Sequence, residues 1–227
     1  SRKEQKTGDK TVNIEIQMFR GMFNVAKKWG YSQNNPTDGV TFFRITKTQE
    51  PRVLSKEECE KLLNDCGEEL YPIFFTFLNT GMRRGELLNL EWKDIDLERK
   101  RIKIRAKENW EPKTSERYIP INDSLIKVLK KHKNNTKGGL VFTDSKGEKI
   151  HRNELRKELI RITKRCGFPD VTKLHSLRHT FASHLVMNGV DLPTVKKLMG
   201  HSDIETTMIY AHLADEHVDK AVEKLEF

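Results

Sequence analysis

Apolar side chains recur at a helical period through most of this chain and switch to strict alternation near its middle. From Thr11 to Trp29, the residues Ile14, Met18, Met22, Val25, Ala26 and Trp29 fall on one stripe, and Gly30 ends the run. Asn34-Asn35-Pro36 marks a turn. Residues 36–51 show little period and read as a linker, in which Phe42 and Phe43 need somewhere to dock. Ser55 and Glu58 have the spacing of a capping box, which predicts a helix through Asp65. A very apolar helix over Leu70–Leu78 follows, closed by Gly81, and then another over Arg84–Trp92.

The alternation comes next. Arg101-Ile102-Lys103-Ile104-Arg105-Ala106-Lys107 puts every cation on one face, the pattern of a half-buried strand. Its partner is Arg117-Tyr118-Ile119-Pro120-Ile121, so residues 101–121 are expected to form an antiparallel hairpin with a long polar tip. The basic outer face reads equally as a solvated surface or a contact for phosphates. Helical patterns return at Asp123–Lys133, Arg152–Cys166, Ser176–Met187, Leu192–Met199 and Ala214–Leu225, with a further short strand at Leu140-Val141-Phe142. The fold class that follows is mainly α (α+β), a helical domain with a small antiparallel sheet. The shift in pattern near Ser55 divides the chain into residues 1–50 and 51–227.

With 227 residues the chain can bury a real core. Its 42 Lys and Arg against 33 Asp and Glu leave a net charge of +9. That excess favours a polyanionic partner, nucleic acid first, over a merely basic surface. There is no long apolar run and no signal-peptide pattern. Cys59, Cys66 and Cys166 are odd in number and lack metal or redox spacing, as expected of reduced cysteines in a cytoplasmic protein.

Several polar residues are unremarkable singly. Arg83 opens a helix after Gly81 and reads as a surface residue, although helix N-termini also favour anions. His175 and Arg178 share a helix face. His175 and His179 have the spacing of a metal pair, but no acidic residue lies between them and no third ligand is evident, so no metal is expected. His201 reads as a helix cap and Tyr210 as a core phenol. Together they change meaning. A phenol, two imidazoles and two guanidiniums form a set suited to attack on a phosphate, because a phenol titrating near ~10 needs help to act as a nucleophile.

The run from Leu174-His175-Ser176-Leu177-Arg178-His179-Thr180 through Gly200-His201 to Tyr210 resembles the tyrosine recombinase, or phage integrase, family. Thr80-Gly81-Met82-Arg83-Arg84-Gly85-Glu86-Leu87 matches that family's first arginine motif, and the likeness covers about residues 51–227. The family also has a catalytic lysine in a β-hairpin. Lys113, in Lys113-Thr114-Ser115-Glu116-Arg117, fits that pattern best, with Lys107 as the competitor because hairpin lengths vary.

The resemblance implies site-specific cleavage and rejoining of double-stranded DNA through a 3′-phosphotyrosine on Tyr210, without metal, ATP or other cofactor. Arg83 and Arg178 are then expected to grip the phosphate, Lys113 to protonate the leaving 5′-oxygen, and His175 to assist proton transfer. His201 donates to a phosphoryl oxygen and Glu86 supports its neighbours. Residues 1–50 resemble the end of a helical core-binding domain, and the stripe of Leu213, Val218, Ala221, Val222 and Leu225 resembles a helix exchanged between protomers of a DNA-bound homotetramer. Type IB topoisomerases carry the same catalytic residues, and a silent DNA-binding protein on this fold is the other alternative.

Overall fold

The computed structural model describes residues 8–45, 51–134 and 138–217. The chain divides into two compact units, residues 1–50 and 51–227.

In the first unit, α1 spans Asp9–Lys28 and stops where Gly30 takes a φ of 79°. The segment expected as a linker folds back along this helix. Asn35, 5% exposed, donates to the Arg20 carbonyl and the Asn24 side chain and accepts from Thr37. Arg20 donates to the carbonyls of Thr37 and Val40 and lies 4.8 Å over the Phe42 ring. Asn13 pairs with the Phe43 backbone in both directions. Polar clasps therefore fix this segment, and the apolar stripe of Ile14, Met18, Met22 and Val25 stays exposed.

The second unit opens with α2 (Lys56–Asp65), capped reciprocally by Ser55 and Glu58 as the spacing predicts. Helix α3 (Gly67–Thr80) is longer than its apolar core, and it buries Ile73, Phe74 and Phe77. Helix α4 covers only Arg84–Leu88. The predicted run to Trp92 breaks because the Asn89 side chain turns back to the Gly85 carbonyl, and a single 3-10 turn forms at Trp92–Asp94.

Strands β1 (Ile95–Asp96), β2 (Arg101–Ile104) and β3 (Arg117–Pro120) make an antiparallel sheet in that order. Ile102 faces Ile119 across the hairpin, and both are fully buried. Residues 140–142 make no strand. Leu140 bridges Glu91, and the Val141 amide donates to the Leu90 carbonyl. The outer cations of the hairpin are tied to carboxylates. Arg105 and Lys107 meet Asp94 at 2.7 and 2.6 Å, Lys103 lies 3.7 Å from Glu116, and Arg101 lies 3.9 Å from Asp96. This face is a neutralised surface.

Helices α5 (Asp123–Asn134), α6 (Arg152–Arg165), α7 (His175–Met187), α8 (Leu192–Met199) and α9 (Glu205–Met208) complete the unit, followed by a 3-10 segment over Ala211–His217. The rest of the predicted Ala214–Leu225 helix lies outside the described residues. The main core joins α2, α3, the sheet, α5 and α6. A smaller cluster of Ala182, Val186, Val195, Met199 and Tyr210 closes the end of the unit that carries the polar motifs. Burial raises the thiols of Cys59 and Cys66 to about 11, which leaves both poor nucleophiles, Cys66 in the core and Cys59 half-buried against it. No described helix is long and apolar enough to cross a membrane.

Candidate active site

The C-terminus of α8 organises the site. A helix leaves its last carbonyls without intrahelical donors and carries partial negative charge at that end. Here Gly200 takes the left-handed conformation at φ 62°, and the His201 amide closes back on the Lys196 carbonyl. Three successive carbonyls remain, and three arginines converge on them. Arg117 Nε reaches Leu198 at 3.3 Å, an Arg178 terminal nitrogen reaches Met199 at 2.6 Å, and Arg83 reaches Gly200 at 2.8 Å.

Each guanidinium has a second anchor. Arg178 donates to the Gly81 carbonyl at 2.5 Å. Gly81 itself is obligatory, since φ is 57° and a Cβ there would lie 2.3 Å from the Phe181 ring. Arg83 donates to Glu86 and to the Thr114 hydroxyl at 3.0 Å. Arg117 makes a two-pronged pair with Glu86 at 2.8 and 2.8 Å. Burial pushes the Glu86 carboxyl up, but the donors and charges of Arg117 and Arg83 together outweigh it and hold the group below the ordinary carboxylate range. Burial, reinforced by Arg83, pulls the Arg178 guanidinium down, and its Nε has no hydrogen-bond partner. Its two terminal nitrogens are held by backbone carbonyls while this buried N–H is left without a partner.

Arg83, Lys113, His175 and Arg178 line one cleft, together with Arg84, Arg156 and Lys173. Four of the six residues expected to be catalytic thus meet. Thr114 bonded to Arg83, and Trp110 beside Gly85, seat the hairpin tip that carries Lys113. Lys107 points elsewhere, donating to the Asn89 carbonyl and to Asp94. Of the two, Lys113 is the one that lines the cleft.

His201 and Tyr210 stand behind this cleft. His201 Nδ1 lies 2.9 Å from the buried Thr207 hydroxyl, which leaves Nε2 as its other polar atom. Burial, then Arg178 and Arg83, lowers His201 to about 4, and burial with the same two cations lowers His175. Tyr210 is 1% exposed, and burial pushes its phenol up to about 12 against the opposing pull of Arg178. Its hydroxyl meets His179 Nδ1 at 2.6 Å. His175 and His179, the pair with metal spacing, pack edge to face at 4.6 Å. The sequence reading missed His179, Arg117 and Thr207 as parts of the site. Arg117, beside the lysine in the hairpin pattern, and His179, four residues after His175, left signals in the spacing, and Thr207 left none.

Residues 52–217 match the phage integrase family. The chain belongs to that family. It is similar to a XerC-like tyrosine recombinase of Caldanaerobacter subterraneus subsp. tengcongensis, at 33% identity over 98% of this chain and 67% of the relative. It is also similar to the integrase of Escherichia phage 186, at 29% identity over 98% of this chain and 62% of that one. Among solved structures, the Tn1549 transposon integrase in complex with transposon right end DNA superposes with a TM-score of 0.81 at 25% identity, over 98% of this chain and 81% of that one. The catalytic domain of bacteriophage HP1 integrase gives 0.58 at 30% identity, over 77% of this chain and 95% of that one. These relatives make this family member a tyrosine-type site-specific recombinase.

Proposed function

We propose that this chain cleaves and rejoins double-stranded DNA at a specific site through a 3′-phosphotyrosyl bond to Tyr210. The observation that carries the reading is the convergence of Arg83, Lys113, His175 and Arg178 on one cleft, with Tyr210 packed against the helix that bears two of them. The preset arginines offer donors to the non-bridging oxygens, where charge grows in the transition state. Lys113 protonates the departing 5′-oxygen, and His201 donates to the phosphoryl group. Neutral His175, next to the cleft cations, accepts or relays the phenolic proton. Because the phosphotyrosine keeps the bond energy, a second 5′-hydroxyl reverses the reaction without ATP or metal.

The solved Tn1549 and XerH neighbours are complexes with DNA, which supports a DNA substrate for this chain. The exposed stripe of α1 supports reading residues 1–50 as part of a helical DNA-clamping domain. The apolar stripe through residues 213–225 supports assembly as a homotetramer on DNA with exchange of that segment. Removing residues 213–227 is expected to abolish recombination while monomeric DNA binding remains.

The deciding experiment uses a pool of nicked duplexes with randomised cores, resolved on denaturing gels. Wild type is expected to form a covalent 3′-adduct and Tyr210→Phe none. An adduct with the phenylalanine variant would overturn the assignment. Relaxation of any plasmid without a preferred site would replace recombination by topoisomerase action.

A further inference from the structure

His179 follows Arg178 in the sequence but does not line the cleft. Its Nδ1 lies 2.6 Å from the Tyr210 hydroxyl, which is buried with the ring in the smaller core cluster. A buried hydroxyl needs an acceptor for its proton. Among the described residues, Nδ1 is the one partner of this hydroxyl. The phenol therefore donates to a neutral imidazole. Burial, then His175 and Arg178, lowers His179 to about 4, while the phenol stands at about 12. So weak a base does not take a proton from so weak an acid. The hydrogen bond holds the phenol and does not ionise it.

We propose that His179 is a positioning residue that stores Tyr210, protonated and buried, until a phosphodiester occupies the cleft. This rests on the reading of Tyr210 as nucleophile. The phenol keeps its proton while stored and surrenders it only during attack. The route from cleft to store is short. His175 lines the cleft and its ring packs edge-on against His179, so an occupied cleft and the storing imidazole share one contact. Two ordinary explanations are distinguishable from storage. A base at His179 would speed attack, and a purely structural histidine would change neither the access nor the reactivity of the phenol.

The test needs no DNA at its first step. Tetranitromethane nitrates accessible tyrosines, and Tyr31 and Tyr118, 83% and 51% exposed, are internal references. In wild type, Tyr210 is expected to react far more slowly than either. His179→Leu removes the acceptor and is expected to raise Tyr210 nitration by about tenfold, the population shift that losing a buried hydrogen bond produces. His179→Gln keeps an acceptor and is expected to restore protection. Should the leucine variant fail to fold, His179→Asn, too short to reach the phenol, carries the same expectation.

The second step measures single-turnover adduct formation on the nicked duplex selected above. At saturating DNA the leucine or asparagine variant is expected to cleave about 5- to 100-fold faster than wild type, with DNA affinity unchanged. Unchanged nitration of Tyr210 in both variants overturns the proposal. So does slower cleavage that glutamine fails to rescue, the signature of a catalytic base. An adduct that persists in Tyr210→Phe would remove the nucleophile reading instead, and the nitration result would still report the hydrogen bond.

Discussion

Glu86 shows how the site is held at the level of single side chains. Its carboxylate is 2% exposed, joined to Arg117 by two hydrogen bonds, to the Arg83 backbone by a third and to the Arg83 guanidinium by a fourth. Removing one partner of a buried pair strands the other charge at a cost of about 3–5 kcal/mol. Glu86→Gln is therefore expected to lower the unfolding free energy in urea by about 3 kcal/mol. A Glu86→Met, Arg117→Met double variant should recover much of it. The pH dependence has a fixed sign. The folded carboxyl titrates below its unfolded value, so its contribution is complete above about pH 4.3 and is lost as pH falls through the folded value. Wild type and Glu86→Gln should converge on acidification. Sequence spacing singled out Arg83, Arg178, His175, His201 and Tyr210, because fixed separations between motifs survive in one dimension, and the fold brings the first three to one cleft. Spacing gave no role to His179, whose partner lies 31 residues away and whose spacing to His175 suggested only a metal pair that the missing third ligand ruled against.

At the scale of elements, a small number of backbone turns aim the guanidiniums. The α8 C-terminus presents its carbonyls only while Gly200 stays left-handed, and a Cβ there would sit 2.7 Å from the Arg117 guanidinium carbon. Gly147 is also left-handed at φ 80° but has nothing within 4 Å of such a Cβ. The pair separates backbone strain from displacement of the site. Gly147→Ala is expected to cost about 1 kcal/mol and leave cleavage intact. Gly200→Ala should cost more than that and also reduce cleavage by about tenfold or more, because it displaces Arg117 and the carbonyl that anchors Arg83. Urea unfolding and single-turnover cleavage of both variants check this. Periodicity located α2, α5, α6, α7 and α8 to within a few residues, since each buries one stripe. It overran α4 and invented a strand at residues 140–142. Both errors have one cause. Local apolar pattern cannot see a side chain that closes the helix from inside, as Asn89 does, or backbone bonds that a neighbouring loop supplies.

Charge across the whole molecule gives the last test. The net charge of +9 pointed to a polyanion, yet the basic face that sequence alternation singled out on β2 is matched by its own carboxylates. Among the described residues, a second group of cations lines the cleft, where Arg83 alone is matched, by Glu86. Arg84, Arg156 and Lys173 stand there beside Arg83, Lys113 and Arg178. Arg156 is oriented by a hydrogen bond to the Thr172 carbonyl at 3.0 Å. One scissile phosphate carries a single negative charge, and Arg83, Arg178 and Lys113 suffice for it. On the proposed reading, the three further cations are left for its neighbours along the strand. Each phosphate neutralised releases counterions, so each contact adds about 0.9 to the slope of log affinity against log salt on duplex DNA. Arg156→Ala and Lys173→Ala are each expected to reduce that slope by about 1 and to weaken binding uniformly across sequences. Lys103→Ala, on the matched face, is expected to leave the slope as it is. Equal slopes for all three variants, read by fluorescence anisotropy on a 30-base-pair duplex of arbitrary sequence, would move the DNA path off this cleft.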